Sequence, residues 1–135
     1  MDCIFCKIVE GKIPSRKITE TEKSMAFLDA FPLTKGHMLV IPKKHYVKIQ
    51  EMSKEDNSDL FEIVRILTGK MERVAPSSLV AIHNGKESGQ EVPHVHVHII
   101  PRNIGDSVGP VHSMFGKKPK LTNDEFNNIV DKLTK

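Results

Sequence analysis

Tryptophan is absent from this 135-residue chain, and Tyr46 is its only tyrosine. Six phenylalanines do not make up a row of aromatic platforms of the kind that stacks single-stranded bases. Apolar runs such as Met38 to Ile41 fall far short of the ~18 residues that a membrane span needs. Met1-Asp2-Cys3 has nothing of a secretory leader, so a cytoplasmic and reducing home is expected. Neither sign of charge dominates: the formal net charge is +3, and apart from Lys43-Lys44 and Lys117-Lys118-Pro119-Lys120 the basic residues are scattered. Such short pairs are ordinarily solvated, which argues against nucleic acid as the main partner. With 39% hydrophobic and 27% charged residues, the chain fits one soluble domain over 1–135.

Cysteine occurs twice, both times in Cys3-Ile4-Phe5-Cys6. In a reducing compartment this leaves metal binding or thiol redox chemistry rather than a structural disulfide. A redox motif belongs between a strand and a helix, whereas this one nearly begins the chain. Two thiols are half a zinc site, and two further ligands must come from elsewhere.

What the chain does have is Pro93-His94-Val95-His96-Val97-His98-Ile99-Ile100-Pro101. β-Branched residues in strict alternation favour a strand, in which His94, His96 and His98 share one face. A helix would turn each residue by about 100° and scatter them. Pro93 and Pro101 suit strand ends. Two readings of the row stand: alternate histidines can converge on one metal ion, or one of them can be a nucleophile supported by the others.

Around this row, residues 3–10 read as a short helix ended by Gly11. Lys17 to Thr19, Ser24 to Asp29 and His37 to Ile41 read as strands. Ser53 caps a helix expected to reach Ala75 before Pro76, with the apolar stripe Leu60, Ile63, Val64, Leu67, Met71 and Val74. Leu79 to His83 gives a fourth strand. Residues 103–120 form a glycine- and proline-bearing loop. The last helix carries a Thr122/Glu125 capping box, a Leu121/Phe126 staple and a stripe of Phe126, Ile129, Val130 and Leu133 expected to be buried. The fold expected is α+β: a mostly antiparallel five-stranded sheet, one long crossover helix, a short N-terminal helix and a C-terminal helix.

The histidine row, with Phe27-Leu28-Asp29-Ala30, the run from Thr34 to His45 and Gly89-Gln90-Glu91-Val92-Pro93, resembles the histidine triad (HIT) family over about residues 3–102. The likeness is to the Hint-like branch, while Ile100-Pro101-Arg102 is also similar to the Fhit branch; residues 103–135 diverge from both. The resemblance implies a nucleotide hydrolase or nucleotidyltransferase in which His96 attacks the α-phosphorus of a purine nucleotide conjugate, a phosphoramidate or a dinucleoside polyphosphate, through a nucleotidyl-histidine intermediate. It further implies that His98 and His37 donate hydrogen bonds to the phosphate, helped by Asn84 and Gln90. Asp29 would hold the ribose hydroxyls, and Ile4, Phe5, Ile8, Phe27 and Leu39 would form the base slot. A structural zinc would sit on Cys3, Cys6, His45 and His94, and the chain would pair as a homodimer through the long helix and a sheet edge. Where many relatives have Ser or Thr able to assist the leaving group, this chain has Glu91, which is given no catalytic role. His83 and His112 match no ligand or catalytic position and read as structural or exposed. The competing expectation is a catalytically weak nucleotide-binding or protein-interaction module stabilised by zinc.

Overall fold

A computed structural model describes residues 2–135. They fall into two compact units, residues 2–104 and 105–135. The first begins with α1 (Ile4–Val9). Gly11 follows it at φ 78°, and the Gly11 and Lys12 amides close back onto the Ile8 and Lys7 carbonyls. This left-handed stop satisfies the free carbonyls of the last turn, and it favours glycine because a Cβ disfavours positive φ.

Strands β1 (Lys17–Glu20), β2 (Ser24–Leu28) and β3 (Met38–Pro42) form an antiparallel run. After β3 come α2 (Lys54–Met71), β4 (Ser77–Ala81) and β5 (Val97–Arg102). The sheet order is β1-β2-β3-β5-β4, with every pairing antiparallel. β5 thus inserts between β3 and β4, and α2 is the crossover that carries the chain past it. The α+β architecture is as expected.

Both faces of the sheet are covered, and the pleat assigns the residues. Ala26, Met38, Val40, Val95, Val97 and Ile99 face α2, where Leu60, Ile63, Val64, Leu67 and Met71 complete the core. Met25, Phe27, Leu39 and Ile41 face the other way, onto Phe5 and Ile8 of α1. Leu60 and Leu67 are essentially inaccessible, and truncating either to alanine costs about 2–5 kcal/mol.

Several boundaries differ from expectation: β2 ends at Leu28, β3 runs from Met38 to Pro42 and β4 ends at Ala81. α2 ends at Met71, not Ala75: from Glu72 the amides turn to carbonyls three residues back, Glu72 to Gly69, Arg73 to Lys70 and Val74 to Met71, and Val74 is exposed. β4 accordingly starts at Ser77, two residues ahead of Leu79. Pro101 lies inside β5, opposite Ser78, where its carbonyl accepts from Thr34 Oγ1 at 2.8 Å. β3 pairs with β5 only as far as Ile99, so this proline amide is missed by no β3 partner.

The second unit contains a 3-10 turn at Val111–Met114 and α3 (Asn123–Thr134). Thr122 and Glu125 form the expected reciprocal cap. The stripe of Phe126, Ile129, Val130 and Leu133 is exposed, not buried, because this short unit has no second α-helix or strand to lay over it. Among the described residues, no helix is long and apolar enough to cross a membrane.

Candidate functional site

Because Val95, Val97 and Ile99 turn towards α2, His94, His96 and His98 turn to the opposite face, where α1 lies. The three rings do share that face. The His96 and His98 centroids are 5.0 Å apart, and the Phe5 ring meets His94 at 5.8 Å and His96 at 5.1 Å, edge-on in each case. The hydrogen-bonded strand nevertheless begins only at Val97. Upstream, the Val95 amide donates to the Tyr46 carbonyl at 2.7 Å, outside the β3 ladder. One face therefore spans two environments.

The first is a cavity of about 520 Å³, a volume typical of small-molecule sites. Ile4, Phe5 and Ile8 of α1, Phe27 of β2 and Leu39 of β3 line its apolar part, together with Asp29, His37, His96 and His98. Two backbone groups fix the ring protons. His96 Nδ1 lies 2.7 Å from the His94 carbonyl; a carbonyl only accepts, so Nδ1 carries the proton and Nε2 keeps its lone pair. The Leu33 amide donates to His37 Nδ1 at 3.0 Å, which puts the His37 proton on Nε2. That proton is donated to His98 Nδ1 at 2.9 Å, leaving the His98 proton on Nε2. His98 Nε2 is buried without a partner among the described residues. An orphaned buried donor is costly, and an anionic ligand would satisfy it.

Burial keeps these rings neutral. It pushes His96 below the ordinary imidazole value, against the raising effect of its bond to the His94 carbonyl. His98 is driven down to about 4, by burial first and then by His96, His37 and His83. His37 is lowered by burial against the opposing charge of Asp29. Asp29 itself accepts from the Phe31 amide at 2.9 Å, and its other oxygen lies 3.6 Å from His37 Nε2.

The second environment is the buried end of the row. Cys3, Cys6, His45 and His94 bring one donor atom each within 4.8 Å of one another. Cys3 Sγ and His94 Nδ1 are 3.4 Å apart, Cys6 Sγ and His45 Nδ1 3.4 Å, Cys6 Sγ and His94 Nδ1 3.6 Å, and the two Nδ1 atoms 3.2 Å. A tetrahedral zinc, about 2.3 Å from sulfur and about 2.0 Å from nitrogen, sets S···N at roughly 3.5 Å and N···N at roughly 3.3 Å. The residues fit the ion. His94 Nε2 donates to the Pro42 carbonyl at 2.8 Å, which turns the Nδ1 lone pair towards the thiols, the outer-shell device that orients a metal-ligating histidine. Asp29, His37 and His98 also converge within 4.8 Å. They do not fit a cation, because the Leu33 amide holds the His37 proton on the nitrogen that would have to ligate.

A model of the HIT domain matches residues 10–105. Adenosine 5'-monophosphoramidase hnt1 of Schizosaccharomyces pombe is 48% identical to the chain over 135 residues, 96% of this chain and 99% of that protein. The chain belongs to the HIT family. Among solved structures, the histidine triad nucleotide-binding protein from Candida albicans superimposes with a TM-score of 0.83 at 34% identity, covering 98% of this chain and 95% of that one. A Zn-bound histidine triad family protein from Mycobacterium smegmatis does so with a TM-score of 0.76 at 33% identity, covering 89% and 85%.

Within this HIT domain the fold does not bring Asn84 and Gln90 to the cavity lining. Asn84 accepts from the Ile49 amide at 2.9 Å and donates to Gln50 at 3.0 Å. Gln90 accepts from the Gly85 amide and donates to the carbonyls of Val47 and Val92. Their polar atoms are spent on holding the loop. His83, read from the sequence as structural or exposed, lines the cavity with its ring edge-on to His98 at 5.5 Å. Arg16 and Glu91 line it as well. His83 lies two residues beyond β4, and its place beside His98 follows from the pairing of β4 with β5.

Proposed function

We propose that this HIT protein hydrolyses a purine nucleoside phosphoramidate at the α-phosphorus, with His96 as nucleophile. The observation that carries the reading is the pair of locked tautomers: a lone pair on His96 Nε2 and, one ring away, an unpartnered N–H on His98 Nε2. The name of the Schizosaccharomyces pombe relative, an adenosine 5'-monophosphoramidase, supports the choice of a P–N bond.

In this mechanism the base enters the apolar slot of Ile4, Phe5, Ile8, Phe27 and Leu39, and Asp29 accepts from the ribose hydroxyls. His98 Nε2–H donates to a phosphate oxygen, while His37 holds His98 in the required tautomer. The bridging nitrogen is protonated from water. His96 Nε2 then gives its pair to phosphorus, and the P–N pair leaves with the nitrogen as a neutral amine that takes a further proton from water. Phosphate charge stabilises the ring as it becomes cationic. Water next attacks phosphorus and loses a proton to solvent, and His96 recovers its pair, releasing the nucleoside monophosphate. Covalent catalysis divides one hard displacement into two easier ones.

Cys3, Cys6, His45 and His94 would hold a zinc ion, whose chemistry is structural: four protein ligands leave no open position. A second copy of the chain would pair through α2 and the edge strand β4, where Phe61, Ile66 and Val80 are exposed; a monomeric mass by light scattering at micromolar concentration refutes that pairing. The catalytic reading is tested by incubating the protein with adenosine 5'-phosphoramidate and following AMP release. Acid-quenched samples should carry an adenylyl group on the His96 peptide by mass spectrometry. AMP binding without turnover would leave a nucleotide-binding module instead.

A further inference from the structure

Only two acidic side chains line the cavity, Asp29 and Glu91. Asp29 has one oxygen on the Phe31 amide and the other facing His37, and its remaining lone pairs are those assigned above to the ribose hydroxyls. Glu91 has no hydrogen-bond or salt-bridge partner among the described residues. Its backbone is nonetheless firmly placed, because the neighbouring Gln90 side chain ties Gly85, Val47 and Val92 together, and Val92 packs against the α1 cluster. Residue 91 is exposed while residue 96 is buried, so the carboxylate stands at the mouth of a site whose nucleophile lies on its floor. Its charge reaches the His96 ring. Arg16, the one lysine or arginine in the lining, is attached elsewhere, beside Leu28, whose amide bonds to the Arg16 carbonyl.

Displacement at phosphorus is in line. With His96 attacking from the floor, the leaving group departs towards the mouth, where Glu91 waits without a counter-ion. In P–N cleavage the protonated bridging nitrogen is cationic before the bond breaks, leaves as a neutral amine and becomes an ammonium on taking a proton from water, while an amine with a second ammonium is cationic throughout. In cleavage of a polyphosphate the leaving group carries several negative charges.

We propose that Glu91 is a specificity-determining residue that favours cationic amine leaving groups and repels anionic ones, making phosphoramidates of amines that carry a further positive charge, rather than dinucleoside polyphosphates, the preferred substrates. The inference rests on the phosphoramidase reading above and deepens it. Glu91 acts by Coulomb attraction at a solvated mouth, so its effect is moderate and screened by salt.

The test measures kcat/KM for three adenylyl substrates: a phosphoramidate of a diamine with a free second ammonium, one of a neutral alkylamine, and diadenosine tetraphosphate. Wild type should rank them in that order. Glu91→Gln should lower the first by about tenfold, change the second by no more than about threefold and raise the third, narrowing the spread between the extremes by more than tenfold. Glu91→Asp should keep the wild-type ranking. Raising the salt from low concentration to about 0.5 M should narrow the spread in wild type and leave Glu91→Gln nearly unmoved. Equal changes on all three substrates, or none, would overturn the proposal while the phosphoramidase reading stands. If Glu91→Gln fails to fold, the salt series on wild type decides alone, and a spread insensitive to salt overturns the proposal. Turnover of none of the three would remove the functional reading and this one with it.

Discussion

His94 and His96 stand two residues apart, on one face of one chain segment, against the same phenylalanine, yet they hold their ring protons on opposite nitrogens. His94 gives its Nε2 proton to the Pro42 carbonyl and turns Nδ1 to Cys3, Cys6 and His45. His96 gives its Nδ1 proton to the His94 carbonyl and leaves Nε2 free beside a cavity. The residue type and the pleat are the same, and a single backbone carbonyl on different sides of the ring selects the tautomer. A histidine's role is written by the group that takes its other proton.

The largest effect should come from breaking the cavity half. His96→Ala should lower phosphoramidate turnover on the order of 10³-fold or more while leaving bound metal and melting temperature near wild type. Equal loss of metal and activity would mean that the two halves are one site.

Next in size is the donor. His98→Ala should cost about 10²-fold in kcat, comparable to removing one oxyanion donor. His37→Phe, which removes the ring that fixes the His98 tautomer, should cost less, about tenfold. A larger loss in His37→Phe than in His98→Ala would show that His37 acts directly.

Breaking the metal half should move stability more than chemistry. Cys3→Ser with Cys6→Ser should abolish zinc binding by elemental analysis and lower Tm on the order of 10 °C, because an ion that binds only the folded chain stabilises it by mass action. His96 should still form its adenylyl intermediate. Metal-free protein as purified, or zinc surviving the double substitution, would show this ligand set to be wrong.

The smallest effect is on pH. Burial holds His98 at about 4, below the ordinary value of 6.5, so the unfolded chain binds more protons between those values. Stability is full above about pH 6.5 and declines as pH falls towards 4. The Tm of His98→Gln should depend less steeply on pH over this window than that of wild type.

Much of this was legible in the chain. The alternation of histidine with valine gave the shared face, since period two needs no neighbour to define it, and Gly11, Ser53 and Thr122 marked helix ends through local hydrogen bonds. Ile4, Phe5, Ile8, Phe27, Leu39 and Asp29 do line one cavity, and Cys3, Cys6, His45 and His94 do converge. Asn84 and Gln90 do not line the cavity, because an amide side chain pairs with whichever polar groups the loop presents, here the backbone of Val47, Ile49, Gly85 and Val92 and the side chain of Gln50. Nor was His83 legible as a cavity residue: its place depends on β4 lying beside β5, a pairing between segments some twenty residues apart.

The sequence by itself determined the elements, their inward faces and the inventory of chemical groups, because propensity, periodicity and capping act over a few residues. Only the tertiary structure decided which nitrogen of each histidine holds a proton, which residues reach the cavity and whether the α3 stripe is covered. Those outcomes depend on a carbonyl from Pro42, an amide from Leu33 and the surfaces available to residues 105–135. Such partners lie far along the chain or within irregular turns, where local sequence rules have no hold.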